Sequence, residues 1–416
     1  MVKLPGRLAA AVCLARLVGW TESTCFAQGF TEQRCCSPAE TGGDPRCWAG
    51  EYTYDRCCPA KDWLSCWAHR DTVVVPWICC HPAFGAGGNR ACWSAMGWEE
   101  YTSKVMVPAT KYQQCCHPPD KSLLPYFPGL HELFGDHRKK FTYYSYLDWM
   151  QRCEAEHAAF GLFEGRPVEW MGGIQYELYY WFADMDNRIR QRDPRLLEQL
   201  SLRTLFDLGL LDLLGRNYSP ERGIDVLDVG AGPLSRLGKA LPGVPVRLTA
   251  ADPLACLYGA MLRQLGLDPP VHTALVDAET LLKRFPESSF DLVHCRNALD
   301  HSWDPIAGIQ AMLRVLRPLG AIYLLHYRNE GRWENYTMLH HWDIDVGGRS
   351  GQDLIISSPP WVANRSVNVR RLLRRQAIVQ AVVVDKPVRV ADKAWPGHGR
   401  RYVEVVIRKL YGRQGR

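Results

Sequence analysis

Between residues 221 and 416 the chain alternates short apolar runs with longer amphipathic or polar stretches. "IDVLDVG", "VRLTAAD", "SFDLVHC" and "GAIYLLHY" are runs of strand length, rich in β-branched and other apolar residues. Strands alternating with helical segments predict a parallel sheet covered by helices on both faces. Two late runs, "QAVVVDKPVRV" and "RRYVEVVIRKL", read as a further pair of strands, antiparallel to each other. The texture differs between residues 141 and 220. "YYSYLDWMQRCEAEHAAFGLF", "IQYELYYWFADMDNRIRQ" and "PRLLEQLSLRTLFDLGLLDLLG" place aromatic and aliphatic residues at helical spacing, which predicts a helical cap ahead of the sheet. Such aromatic stripes read as core rather than as a ligand cage.

A different pattern occupies the first third. Of 16 Cys, 13 precede residue 117. Four units begin with Cys followed by Phe or Trp (Cys25, Cys47, Cys66, Cys92) and close on a Cys pair (Cys35–Cys36, Cys57–Cys58, Cys79–Cys80, Cys115–Cys116). Each unit is too small to bury a core, so cross-links must substitute for apolar burial. Adjacent Cys do not readily bond each other, so each pair is expected to reach two different partners. Zinc is the rival reading. It is disfavoured because the region holds no C-x-x-C spacing and vicinal Cys are awkward ligands. The N-terminal "MVKLPGR" followed by "LAAAVCLA" resembles a signal peptide ending near residue 24, with an organellar leader or a plain buried helix as the alternatives. Together these features predict an oxidising compartment, secretory or extracellular, against an organellar or cytoplasmic alternative. No stretch reads as a membrane span.

The expected parts are therefore a leader (1–24), a Cys-rich repeat module (25–118), a Pro- and charge-rich linker (119–140), a helical cap (141–220) and an α/β domain (221–416). The whole chain has 416 residues, 47% hydrophobic and 23% charged, with a net charge of +6. That mild basic excess suits an anionic partner no better than a solvated surface. The run "NVRRLLRRQ" is read as a solvated basic face, and no module signature supports nucleic-acid binding. Sequons stand at Asn217, Asn335 and Asn364.

Chemistry concentrates after the first strand of the α/β domain. In "VLDVGAGPLSRLG" the strand ends at Asp228. Gly230, Ala231 and Gly232 then let the backbone turn tightly and approach a ligand at the carboxyl end of the sheet. The third Gly of the nicotinamide fingerprint is missing. Asp228 would repel a pyrophosphate and attract an ammonium group. S-adenosylmethionine carries an ammonium and no phosphate, which favours a methyltransferase over an NAD(P)-dependent oxidoreductase. Asp252, followed by Pro253, ends the second strand and is placed to accept ribose hydroxyls. Asp277 and Ala278 end the third, near an adenine edge, with Glu279 beside them. "FDLVHCRNALDHSWDP" carries Asn297, Asp300 and His301 toward the sulfonium and the acceptor.

Asp228–Gly232, Asp252, Asp277–Glu279 and Asn297–Pro305, in that order, resemble the successive motifs of class I S-adenosylmethionine-dependent methyltransferases. The similarity is to the type 11 group, in which an L-x-H-x-x-D-P segment follows strand four; Leu299, His301, Asp304 and Pro305 match it. The resemblance spans about residues 170–416 and leaves out the Cys-rich part. It implies a Rossmann-like fold with a mostly parallel seven-stranded sheet, S-adenosyl-L-methionine as cofactor, and methyl transfer to an oxygen or nitrogen. Pro233 departs from the pattern and removes one donor from the loop.

Methyl transfer requires a positioned nucleophile and, for a hydroxyl, removal of its proton. His301 and Asp300 are the candidates, with shaping of the pocket as the alternative for His301. "HYRNEGRWENYTMLHHWDID" supplies His326, Glu330, Tyr336, His340 and Trp342 as candidate walls of an acceptor pocket; its central part is expected to be helical, bringing Glu330, Glu334 and His341 onto one face. A substrate-pocket reading is preferred there to a metal site. The expected partners are a small-molecule or glycan acceptor and a glycan or protein ligand of the Cys-rich module. A catalytically silent methyltransferase-like binding protein is the other class of reading.

Overall fold

The computed structural model describes residues 35, 44–47, 76–80, 92, 116, 143–162, 166, 168–215, 218, 220–349, 351–384 and 401–411. The expected leader and linker, and most of the Cys-rich module, lie outside the described residues.

Seven strands form one sheet: β1 (Ile224–Val229), β2 (Val246–Asp252), β3 (Thr273–Leu275), β4 (Phe290–Arg296), β5 (Leu316–Tyr327), β9 (Ala377–Val384) and β10 (Tyr402–Lys409), in spatial order β3-β2-β1-β4-β5-β10-β9. The first five run parallel. β10 inserts antiparallel between β5 and β9. This is the mostly parallel Rossmann-like sheet that the alternating pattern predicts. The order reverses at β1, between β2 and β4, so a crevice opens at the carboxyl ends of β1 and β4. Strand β4 is buried at every position but Arg296, as a central parallel strand covered on both faces must be.

Period-two alternation divides the strand residues between two cores. Leu227, Val229, Val293 and Cys295 face helix α6 (Pro305–Val315). Ile224, Val226 and Leu292 face Phe206, Leu210 and Leu214 around helix α4 (Leu208–Asp212). Between β5 and β9 the chain adds a three-stranded antiparallel sheet that the sequence pattern did not reveal: β6 (Asp343–Gly347), β7 (Asp353–Ser358) and β8 (Arg365–Asn368). Helix α8 (Val369–Leu373) follows it, and its apolar Val369 and Leu373 join the α6-side core.

The cap consists of α1 (Tyr143–Phe160), α2 (Val168–Arg190) and α3 (Pro194–Gln199). Trp170, Ile174, Leu178, Phe182 and Met185 recur at helical spacing along α2. They pack against Leu257, Tyr258 and Met261 of helix α5 (Ala255–Gln264), which follows β2. Cys153 of α1 is disulfide-bonded to Cys256 of α5. Both are scattered cysteines by sequence, and neither belongs to the repeats. In the Cys-rich region the bridges are Cys35–Cys47, Cys79–Cys92 and Cys80–Cys116. The vicinal pair Cys79–Cys80 thus reaches two different partners. A closing Cys twice bonds the opening Cys of the next unit. The helical turn Pro76–Cys79 packs against α2, with Ile78 in the same core as Ile174. Cys295 is a free, buried thiol. Among the described residues no helix is long and apolar enough to cross a membrane.

Candidate active site

A cavity of about 310 Å³ opens at the strand-order reversal, between the carboxyl ends of the parallel strands and α2. Asp228, Gly230, Ala231, Gly232, Asp252, Pro253, Asp277, Ala278 and Asn297 all line it. Four separate strand ends therefore converge on one space.

The glycine-rich turn is built by close approach. Gly230 and Gly232 have φ of 66° and 64°, in the left-handed region. A Cβ on Gly230 would collide with the Cβ of Ala298, and one on Gly232 would lie 3.0 Å from the Trp181 ring. The amides of Gly230 and Ala231 both donate to the Ala251 carbonyl, at 2.8 and 3.1 Å. Asp228 is buried. Its Oδ2 accepts from the Ser235 hydroxyl at 2.6 Å and its Oδ1 from His294 Nδ1 at 2.6 Å. The carboxylate is thereby held rigidly against the cavity, with further lone-pair capacity for a cationic ligand.

Asp252 accepts from the backbone N–H groups of Gly232 (3.0 Å, Oδ2) and Leu254 (2.8 Å, Oδ1). Burial pushes its carboxyl up to about 7, against the pull of these two bonds and with help from Glu177 and Asp228 nearby. Asp277 accepts from the Thr280 amide at 2.7 Å and the Thr280 hydroxyl, and from Arg166 Nη2 at 3.0 Å. Glu279 stands beside Asp277 and Ala278 at the same strand end. It lines the cavity, accepts from the Asp304 amide at 2.9 Å, and is pushed up to about 7 by burial and by Asp277. Asn297 has φ of 45°, and its Oδ1 is buried without a partner on the cavity wall.

The L-x-H-x-x-D-P segment divides its labour. Asp304 caps α6, accepting from the amides of Ile306 and Ala307, and Pro305 takes the first helical turn. His301 projects into the cavity. Trp170 Nε1 donates to the His301 carbonyl at 2.8 Å and Trp342 Nε1 to the Ser302 carbonyl at 2.9 Å, which fixes this loop. Asp300 sits behind His301 and is almost fully buried. His340 Nδ1 donates to Asp300 Oδ2 at 2.8 Å and lies 3.1 Å from His301 Nε2. Burial alone would raise Asp300; His301, His340 and His326 outweigh it and hold the carboxyl well below the usual range. Burial opposes the charged form of His340, yet Asp300 pushes it up to about 9.

Of the five candidate acceptor-pocket residues, Glu330 and His340 line the cavity and His326, Tyr336 and Trp342 do not. The physical reason is local. The expected helix is only α7 (Glu330–Trp333), because Asn329, Asn335, Tyr336 and Met338 all adopt left-handed φ and break the 3.6-residue period. Tyr336 turns away to donate to Asp343 at 2.7 Å, and His341 leaves the face it was expected to share with Glu330 and Glu334. Trp342 braces the Ser302 backbone. His326 is fully buried on β5, where burial pushes it down to about 4 and neither ring nitrogen has a partner. Asn335 and Asn364 are exposed; Asn217 lies outside the described residues.

Sequence reasoning missed Glu177 and Trp181 of α2, which line the cavity while their helix neighbours pack the core. Trp181 Nε1 donates to Glu177 Oε1 at 2.6 Å. The available signal was an acid inside the aromatic run "IQYELYYWF", a charged position in an otherwise apolar stripe. It also missed Arg166, which bonds Asp277.

Residues 227–324 match the sequence profile of the type 11 family described as "Methyltransferase domain". A ubiquinone biosynthesis O-methyltransferase of Pseudomonas fluorescens (strain SBW25) is 33% identical over 117 residues, covering 26% of this chain and 47% of that protein. One from Pseudomonas entomophila (strain L48) is 35% identical over 115 residues, with the same coverage of 26% and 47%. The chain spans about half the length of the curated relatives it matches. Among solved structures, the N-methyltransferase NodS from Bradyrhizobium japonicum is similar at 15% identity and a TM-score of 0.30, over 49% of this chain and 85% of that one. Identity and TM-score are both low there, and the strand order of the sheet carries the fold. With that order and the converging strand ends, the profile match makes residues 227–324 of the α/β domain similar to a type 11 methyltransferase domain.

Proposed function

We propose that the protein transfers a methyl group from S-adenosylmethionine to an oxygen, or less favourably a nitrogen, of an acceptor entering between α2 and the loop 297–305. One observation carries the reading: Asp228, Gly230, Gly232 and Asp252 share a single cavity with His301 and His340. Its residues fit the cofactor. Two left-handed glycines bring backbone to the cavity wall, a buried carboxylate stands at the end of β2, and the orphaned Asn297 Oδ1 offers an acceptor. The curated relatives' names support an oxygen acceptor.

When bound, S-adenosylmethionine supplies an electrophilic methyl group on a sulfonium for in-line displacement. Asp228, anchored by Ser235 and His294, places negative charge for the ammonium. Asp252 faces the ribose position with its remaining lone pairs, and Asp277 lies a strand further out toward the adenine position. Trp181 and Glu177 line the crevice from α2, with the Trp181 ring against Gly232. His301 and His340 are the groups placed to meet the acceptor or its proton. The disulfides of the Cys-rich region and of the cap support an oxidising, secretory setting for the chain. A ligand-docking role is proposed for the Cys-rich module.

The test is isothermal titration with S-adenosylmethionine and S-adenosylhomocysteine, followed by assay of S-adenosylhomocysteine release with phenol, polyol and amine acceptors. Binding that Asp228→Ala abolishes supports the reading. Absence of binding to wild-type protein overturns it and favours a silent binding protein.

A further inference from the structure

Three donor atoms on the cavity wall point at one another. Asp300 Oδ2, His301 Nε2 and His340 Nδ1 are separated by 2.8 Å (Asp300 to His340), 3.1 Å (His301 to His340) and 3.6 Å (Asp300 to His301). His340 Nδ1–H donates to Asp300 Oδ2 and His301 Nε2 lies within reach of both, so three atoms of metal-ligand type converge on one point. Asp300 Oδ1 is buried without a protein partner, which leaves this almost fully buried carboxylate with lone-pair capacity for a further ligand.

The distances suit a metal ion. Ligands at about 2.0–2.2 Å around a tetrahedral centre stand about 3.3–3.6 Å from each other, so the observed triangle needs only side-chain adjustments of a few tenths of an ångström. Two imidazoles and one carboxylate are a donor set for borderline divalent ions, Zn²⁺ or Fe²⁺ among them, rather than for the oxygen-only ligation of Ca²⁺. The supporting shell is rigid: the two Trp indoles hold the backbone of His301 and Ser302, and Asp300 is fixed by burial. Among the described residues this is the one cluster of its kind.

We propose that Asp300, His301 and His340 form a binding site for one divalent transition-metal ion, with its open coordination positions facing the acceptor space. The inference rests on the methyltransferase reading and narrows the acceptor to a hydroxyl compound. An acceptor oxygen bound at the ion loses its proton to water, and its lone pair forms the new C–O bond. The S–C bond breaks with its electron pair retained on sulfur, so charge and atoms balance without a redox partner.

The experiment uses untagged full-length protein stripped with chelator, then titrated with Co²⁺ and followed by its visible absorption, with Zn²⁺ competition as a second readout. S-adenosylmethionine affinity is measured in parallel. One ion per chain is expected. His340→Ala and Asp300→Asn should weaken ion binding by more than about 100-fold, beyond the loss from an outer-shell partner. Ion binding that is absent from the wild type, or unchanged in both variants, overturns the site. Failure of wild-type protein to bind S-adenosylmethionine would instead sink the underlying reading, whatever the ion does.

Discussion

Asp252→Asn separates stability from cofactor binding. The native carboxyl, buried at the end of β2, has its pKa raised from 3.8 to about 7. Between those values the folded chain holds a proton that the unfolded chain has released, so the contribution of Asp252 to stability falls as pH rises through this window. A shift of about three units corresponds to about 4 kcal/mol of burial penalty at pH values above 7. Asparagine removes that penalty but can accept only one of the two N–H groups, from Gly232 and Leu254, that the carboxylate accepts. The orphaned amide costs about 1–3 kcal/mol. Cofactor-free Asp252→Asn is therefore expected to be no less stable than wild type at pH 8.5, measured by urea unfolding. Cofactor affinity moves the other way. Loss of charge-assisted acceptance by ribose hydroxyls costs about 1.5–3 kcal/mol, or about 10–100-fold in Kd. Wild-type affinity should also rise about tenfold from pH 6 to pH 8 as the carboxyl ionises, and calorimetry of Asp252→Asn should give a flat profile. A variant that binds within threefold of wild type, or that keeps the pH dependence, would refute the role assigned to Asp252.

Gly230→Ala forces a Cβ onto Ala298 at a left-handed φ; a loss of about 2–4 kcal/mol by thermal unfolding is expected, with weakened cofactor binding because the displaced segment carries Asn297. Replacing Cys153 and Cys256 together by Ser opens a link across 103 residues and should cost about 3–4 kcal/mol, with α1 released from α5 and faster hydrogen exchange in Tyr143–Phe160. Arg166→Ala strips the counter-charge from Asp277 and Glu279. It should destabilise the fold by about 3 kcal/mol at pH 8 and by less at pH 5, where Glu279, with its pKa raised to about 7 by burial and by Asp277, is protonated; urea unfolding at the two pH values checks this.

The sequence by itself determined the strands of the main sheet, the parallel course of its first five and the residues at their carboxyl ends, but not the three-stranded sheet β6–β8. These are local properties: period-two burial, strand length, and turn chemistry that only glycine satisfies at Gly230 and Gly232. Because every parallel strand delivers its end to the same edge of the sheet, Asp228, Asp252, Asp277 and Asn297 were legible as one group without coordinates. The tertiary structure alone decided the rest. Glu177 and Trp181 read as core because a helix facing a cavity and a helix facing a core show the same 3.6-residue stripe. The segment from His326 to Trp342 carries no period that announces four left-handed residues, so His326, Tyr336 and Trp342 were grouped with Glu330 and His340 although the chain turns them elsewhere. Cys153 and Cys256 looked scattered because a disulfide depends on distance through space, and α1 meets α5 only after the cap has packed. The meeting of Asp300 and His301 with His340, nearly forty residues apart, depends in the same way on β5 returning the chain to the crevice, where burial and mutual charge then give the three side chains properties that none has alone.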